Sequence, residues 1–402
     1  MSLARSAWSV LLALPMACTA QPKGDDSGVP PSLSEPLALR VASFNASLHR
    51  DAAGQLIADL SDPSNAQGIA VATILQHVAA DVVLLNELDV DGEGESLRLL
   101  NDQFLGVSQQ GMAALNYEHL WMPESNTGEA SGADLNGDGE VVTEAGSDAY
   151  GQDAKGYGQY PGQYGLAVVS RFPIVAVRTF RDTLWRDLPD HNIPPGYYSE
   201  AALDVLPLSS KTHADVTLEV GSTELHLLVS HPTPPAFDGE EDRNGRRNHD
   251  EIAFWTGYLD ATADSWHTDD DGSSGGLKGA PFVILGDLNA DPADGGSFGD
   301  PMGDLLSHPR VVDPAPMSRG GTEQAEAQGG VNGRHTGDPA LDTADFSDQS
   351  VGNLRVDYAL PSVELSVEDS GVFWPAADDP LLEVVESASD HRAVWVDVQV
   401  GG

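Results

Sequence analysis

Phe282-Val283-Ile284-Leu285-Gly286-Asp287-Leu288-Asn289-Ala290-Asp291-Pro292 is the stretch on which the reading of this chain turns. Four apolar residues run into a glycine, then into Asp, Asn and Asp, and a proline closes the segment. A short apolar run bounded in this way reads as a buried strand. Strand ends at one edge of a sheet are where layered proteins gather ligands and catalytic groups.

Working outward, the same design recurs four times: Phe44-Asn45, Leu85-Asn86-Glu87, Val229-Ser230-His231 and Ser389-Asp390-His391. Each is a β-like apolar run ending in acidic, amide or imidazole residues. Further β-rich stretches are 39–45, 166–170, 216–220, 225–229, 354–360 and 393–400. Val71, Ile74, Leu75 and Val78 stand at i, i+3, i+4 and i+7, which predicts a helix over 67–79. Helical spacing also fits 248–259 and, more weakly, 96–104. Strands interleaved with helices and hairpins give an α/β or α+β layered domain, rather than an all-β sandwich or a bundle. Two polar, Gly/Asp-rich stretches, Pro123–Tyr164 and Pro316–Asn353, read as surface insertions. With no internal repeat, residues 37–402 are expected to form one domain.

At the N-terminus Arg5 precedes an apolar run from Ala7 to Ala17, and Cys18 follows. This is the layout of a secretory signal over residues 1–20, too short for a spanning helix. Leu14-Pro15-Met16-Ala17-Cys18 resembles a bacterial lipoprotein processing site, which would make Cys18 a lipid-carrying anchor to the envelope. Cleavage near Ala20, releasing a periplasmic or extracellular protein, is the alternative. Residues 21–36, rich in Pro, Ser, Gly and Asp, read as a flexible tether. Cys18 is the chain's one cysteine, so no intramolecular disulfide forms.

Against 20 Lys and Arg stand 63 Asp and Glu, a net charge of −43. Such a surface repels polyanions, whereas proteins that grip duplex DNA carry a basic footprint. The acidity fits solubility better than a binding role.

Carboxylates such as Glu87, Asp287 and Asp390 are hard ligands suited to magnesium, manganese or calcium. Histidines beside carboxylates act as general acids or stabilise transition-state charge. Singly, each of these residues is unremarkable: Asn45 fits a turn cap, and Asp287 to Asp291 fits an Asx-rich turn. Their order changes that. With Arg355-Val356-Asp357-Tyr358 and Ser230-His231-Pro232 added, the series resembles the endonuclease/exonuclease/phosphatase superfamily from about Leu39 to Val398. The resemblance implies a four-layer α/β sandwich, two mixed sheets face to face with helices outside. It implies Glu87 as principal metal ligand, with Asn45 as a further ligand or orienting amide and Asp390 completing the metal environment. Asp287 would deprotonate the attacking water, and Asn289 would hold phosphate or place that water. His391, oriented by Asp357, would stabilise the transition state, and His231 would contact phosphate or protonate the leaving group.

The reaction expected is hydrolysis of a phosphoester, diester or monoester, with magnesium or manganese. An extracellular DNA or RNA endonuclease of the same family is the first alternative, and an inactive cell-surface binding module the second. Outside the motifs, Arg243, Arg246 and Arg247 are candidate phosphate forks, against ion pairing with neighbouring acids. Lys211 and His213 read as structural or surface residues, with lining of the pocket as the alternative. Asp134, Asn136 and Asp138, with Gly139, match the first half of a calcium loop, although its twelfth position is Ala145. Tyr157 to Gly165 is a candidate pocket wall, and core packing of its tyrosines fits equally well.

Overall fold

The computed structural model describes residues 36–261 and 265–401. The stretches expected to be a signal and a tether, with Cys18, fall at residues 1–35 and lie outside the described residues.

Thirteen strands are present among them: β1 (Leu37–Leu48), β2 (Val82–Leu88), β3 (His119–Trp121), β4 (Gly165–Ser170), β5 (Ile174–Thr179), β6 (Ala214–Val220), β7 (Thr223–Val229), β8 (Phe282–Asp287), β9 (Ala344–Asp345), β10 (Asn353–Leu354), β11 (Asp357–Pro361), β12 (Ser366–Val372) and β13 (Val394–Val400). One six-stranded sheet has the order β12-β13-β1-β2-β4-β3, and a five-stranded sheet has the order β11-β8-β7-β6-β5. Each is mixed, because β1 and β2 run parallel, as do β7 and β8, while the other pairs are antiparallel. The pair β9–β10 forms a separate ribbon.

Side-chain alternation explains why the sheets stack, since residues two apart share a face. Leu39, Val41, Val82 and Leu84 of the first sheet meet Leu225, Leu227, Val283 and Leu285 of the second in one core. The opposite parity, Ala42, Phe44, Val83 and Leu85, packs under the helix Ala66–Val78. Phe282 and Ile284 face away on the other side and meet Phe254, Trp255 and Tyr258 of the helix Arg243–Asp260. The result is helix, sheet, sheet, helix: the four-layer sandwich expected from the sequence.

The Ala66–Val78 helix starts where Asn65 accepts the amide of Gly68 and stops at Ala79 in the left-handed region. The weak helical stretch becomes a short helix, Glu95–Leu99, running into a π-turn, Leu100–Leu105. Strands β3, of three residues, and β12, broken by Glu368 and Asp369, carry too little apolar alternation to be read from sequence, whereas Ile174-Val175-Ala176-Val177 of β5 is a legible apolar run. Neither polar stretch is wholly superficial. Residues 123–164 send Leu135, Tyr150 and Asp153 inward, and 316–353 send Thr343, Ala344 and Asn353.

Candidate active site

Alternation also carries the polar residues at the strand ends. Along β1 the face holding Leu39 and Val41 continues through Ser43 to Asn45; along β2, Val82 and Leu84 lead to Asn86; along β8, Val283 and Leu285 lead to Asp287. All therefore point between the sheets at one edge. There, Asn45 Nδ2 donates to Asp287 Oδ2 at 3.0 Å and Asp287 N donates to Asn86 Oδ1 at 3.3 Å, so the two sheets are joined through polar groups. Asn45 Oδ1 accepts from Ser47 N at 3.2 Å. The antiparallel strands begin at this same edge: Asp357 pairs with Asp287 across β11–β8, and His391 lies just before β13.

Glu87 has the opposite parity, that of Val83 and Leu85. A bulge between Asn86 and Leu88 resets it, and Glu87 itself adopts φ 57°. A left-handed conformation at a non-glycine residue is strained, by about 1–3 kcal/mol, and is held where the site requires it. Gly286 acts similarly by its size. A Cβ there would collide with the carbonyl of Ser230, so glycine lets β8 close on the segment after β7 and sets Asp287 beside His231.

The centre is compact. His231 Nε2 and His391 Nε2 lie 3.4 Å and 3.7 Å from Asp287 Oδ2, and His391 Nδ1 lies 2.9 Å from Asp357 Oδ2. Asn289, with φ 52°, folds back to donate its amide N–H to Asp287 Oδ1 at 2.9 Å, and its side chain to the Pro232 carbonyl at 3.1 Å. Ligand atoms of Glu87, His231 and Asp287 lie within 4.8 Å of one another, as do those of Asp287, Asp357 and His391. Among the described residues these are the groups of acidic and imidazole side chains that converge closely enough to hold an ion.

Burial opposes a charge on His391, but the Asp357 and Asp287 carboxylates beside it outweigh that and carry its pKa up to about 10. Burial raises Asp287 and Asp357 above the usual carboxylate range. The shared proton belongs on His391, since a neutral imidazole would leave two buried carboxylates facing each other without a cation. Burial and the nearby Lys211 charge drive His231 well below the ordinary histidine range, so it is neutral. Glu87 is held ionised despite burial, chiefly by His49, whose Nδ1 lies 3.1 Å from Glu87 Oε2.

Of the residues singled out in the sequence, Asn45, Glu87, His231, Asp287, Asn289, Asp357 and His391 come together. Asp390 does not join either close-packed group. Its side chain is exposed and accepts from Ser47 Oγ at 3.3 Å.

The arginines divide. Arg247 is corrected from phosphate fork to structural residue: its guanidinium is buried and donates to the carbonyls of Leu208, Pro207 and Lys155. Arg243 pairs with Glu241. Arg246 donates to the Glu241 carbonyl and stacks its guanidinium 4.2 Å from the centroid of Phe298. In the 134–139 loop, Asp134 caps the amides of Gly137 and Gly139, and Asn136 caps that of Asp138. Asp153 is buried and accepts from Leu135 N and Val142 N. The turns are those of a self-satisfied Asx-rich loop.

Several contributors escaped sequence reading. Thr343, from the polar stretch 316–353, accepts the amides of both Val356 and Asp357 at 2.9 Å. Phe346 sets its ring edge-on to His391 at 5.4 Å. His49 packs on Tyr164 at 4.5 Å, making the tyrosine-rich stretch part of the wall beside Glu87. Asn86 carried a readable signal, a polar residue on the inward parity of an otherwise apolar strand.

Two mixed sheets with an acid–imidazole centre at their common edge define a class of layered α/β proteins. The chain belongs to the endonuclease/exonuclease/phosphatase family, whose sequence profile matches residues 42–391. A comparison with curated proteins found no match. Similar solved structures include an endonuclease/exonuclease/phosphatase from Beutenbergia cavernae (19% identity, TM-score 0.48, 91% of this chain and 72% of that one). Others are a mannosyl-6-phosphatase from Bacteroides thetaiotaomicron and sphingomyelinase C from Streptomyces griseocarneus. Each is 13% identical with TM-score 0.44, over 90% of this chain and 99% of the other.

Proposed function

We propose that this protein is an exported, divalent-metal-dependent phosphoester hydrolase. The observation that carries the reading is the convergence on buried Asp287 of Asn45, His231 and His391, with Asp357 behind His391 and Glu87 alongside.

The donor set fits a hard cation. Glu87 would hold it through a carboxylate oxygen, with the Asp287 carboxylate within mutual ligand range, and carboxylates suit magnesium or manganese. When bound, such an ion polarises a phosphoryl oxygen and offsets its charge.

The chain's own groups do the rest. Asp287, kept basic by burial, accepts the proton of an attacking water, and Asn289 fixes the orientation of its carboxylate through the backbone amide. The His391 imidazolium faces the charge that develops on the phosphoryl oxygens, and Asp357 holds it charged and oriented. His231 Nε2 is placed to contact the phosphate or the departing oxygen. No covalent nucleophile is required.

Export rests on the apolar run from Ala7 to Ala17 behind Arg5, and anchoring on Cys18. Labelling with a radioactive fatty acid, lost in C18S, tests the anchor.

Purified protein with manganese or magnesium should hydrolyse a chromogenic phosphodiester or phosphomonoester, and EDTA should abolish turnover. D287A and H391A should fold normally and lose orders of magnitude in rate. Turnover that survives in either variant overturns the site. Nicking of supercoiled plasmid at physiological salt, without turnover of small phosphoesters, would replace this reading with the nuclease, against which the −43 charge argues.

A further inference from the structure

Lys211 precedes β6 and has 7% of its surface exposed; burial lowers its pKa below the ordinary lysine value, against the pull of the Glu251, Glu87 and Asp287 carboxylates. Its segment is fixed by Glu251, a fully buried carboxylate on the helix Arg243–Asp260. One oxygen of Glu251 accepts Ser210 N at 2.7 Å and the other accepts Thr233 N at 2.6 Å. A single carboxylate thus ties the Lys211 segment to the one that carries His231.

The lysine chain then runs beneath the His231 loop, and its Nζ lies 3.4 Å from the Pro232 carbonyl oxygen. The Asn289 amide donates to that same oxygen at 3.1 Å. Ammonium and amide therefore flank one atom at the floor of the site. An ammonium has three donors, and among the described residues this long bond is the one hydrogen bond it makes. A buried charge so lightly partnered is costly unless a further acceptor arrives. Arg247, the other buried cation beside Glu251, commits its Nε and Nη2 to the carbonyls of Leu208, Lys155 and Pro207.

We propose that Lys211 is a phosphate-binding residue of this centre, its ammonium donating from beside Asn289 to a non-bridging oxygen of the bound phosphoester. This rests on the hydrolase reading and adds to it a fixed organic cation that recognises the phosphoryl group. The rival role is that of a counter-charge to Glu87 and Asp287, which makes no contact with substrate.

The test uses manganese-loaded wild type, K211M, K211R and K211Q. Inorganic phosphate is titrated calorimetrically, a chromogenic phosphoester gives kcat and KM, and manganese affinity and Tm are measured in parallel. In K211M, phosphate binding should weaken at least tenfold and KM rise by a similar factor. Manganese affinity should hold or tighten, Tm should not fall, and K211R should recover part of the phosphate affinity. If K211M does not fold, K211Q is read in the same way. Phosphate affinity equal to wild type, with manganese bound more tightly, makes Lys211 a counter-charge and overturns the proposal. Wild type that binds phosphate through Lys211 yet turns over no phosphoester defeats the hydrolase reading alone. Turnover unaltered by every Lys211 variant defeats this inference alone.

Discussion

Asp357→Asn isolates the contribution of one buried charge. Asp357 Oδ2 lies 2.9 Å from His391 Nδ1, with side chains 0% and 5% exposed, so solvent screens little of the interaction. At about 4 Å between charge centres and an effective dielectric constant of about 20, one charge pair contributes about 4 kcal/mol, or about 3 pK units. The His391 pKa should then drop from about 10 to near 7 in the variant. At pH 8 most of the imidazolium would be lost, and with it the cation that faces the phosphoryl oxygens. The assay is kcat/KM for a chromogenic phosphoester from pH 5.5 to 10.5. Its alkaline limb should move down by about 3 units, and since a group of pKa near 7 is only about one-tenth protonated at pH 8, turnover there should fall at least about tenfold.

Stability reports the same charge independently. A histidine whose folded pKa exceeds its ordinary value of 6.5 contributes stability that is complete below about pH 6.5 and is lost as pH rises through about 10. The Tm gap between wild type and D357N should therefore be widest near pH 6 and close toward pH 10. An alkaline limb that stays in place, with a Tm gap independent of pH, would refute the ion pair.

Three more substitutions probe the frame. His49→Ala removes the imidazole 3.1 Å from Glu87 and should weaken manganese binding by about 10–100-fold, measured by titration with the fold intact. Arg247→Met leaves the carbonyls of Leu208, Pro207 and Lys155 without their donor. It should destabilise by about 3 kcal/mol with KM unchanged, whereas a phosphate fork would show the reverse. Thr343→Val strips the acceptor from the Val356 and Asp357 amides, which should lower stability by about 1–3 kcal/mol and reduce kcat more than KM.

Period-two alternation was legible because apolar and polar residues obey it together. Val283 and Leu285 point into the core between the sheets, so Asp287 must follow them to the edge, and the same logic places Asn45 and Asn86. Chain order supplied the partners, since motifs far apart in sequence sit on strands that end or begin at one edge. What stayed hidden depends on backbone irregularity and tertiary enclosure. Nothing in Leu85-Asn86-Glu87-Leu88 announces a left-handed Glu87, yet without the bulge its carboxylate would take the outward parity of Val83 and Leu85 and leave the centre. Thr343 sits in a polar stretch whose composition suggests a surface loop, and its inward turn follows from hydrogen bonds to residues that come later in the chain. Lys211 reads as a surface lysine because lysines usually are. Its burial is imposed by Glu251, forty residues downstream, which ties the Lys211 and His231 segments together. That tie gives Glu251→Gln a distinct signature. The amide can satisfy one of the two backbone donors but not both, so the segments should part. Phosphate affinity and His231 placement should then fail together, whereas Lys211→Met should weaken phosphate binding alone. Separate failure of the two in E251Q would show that Lys211 reaches the site by some other support.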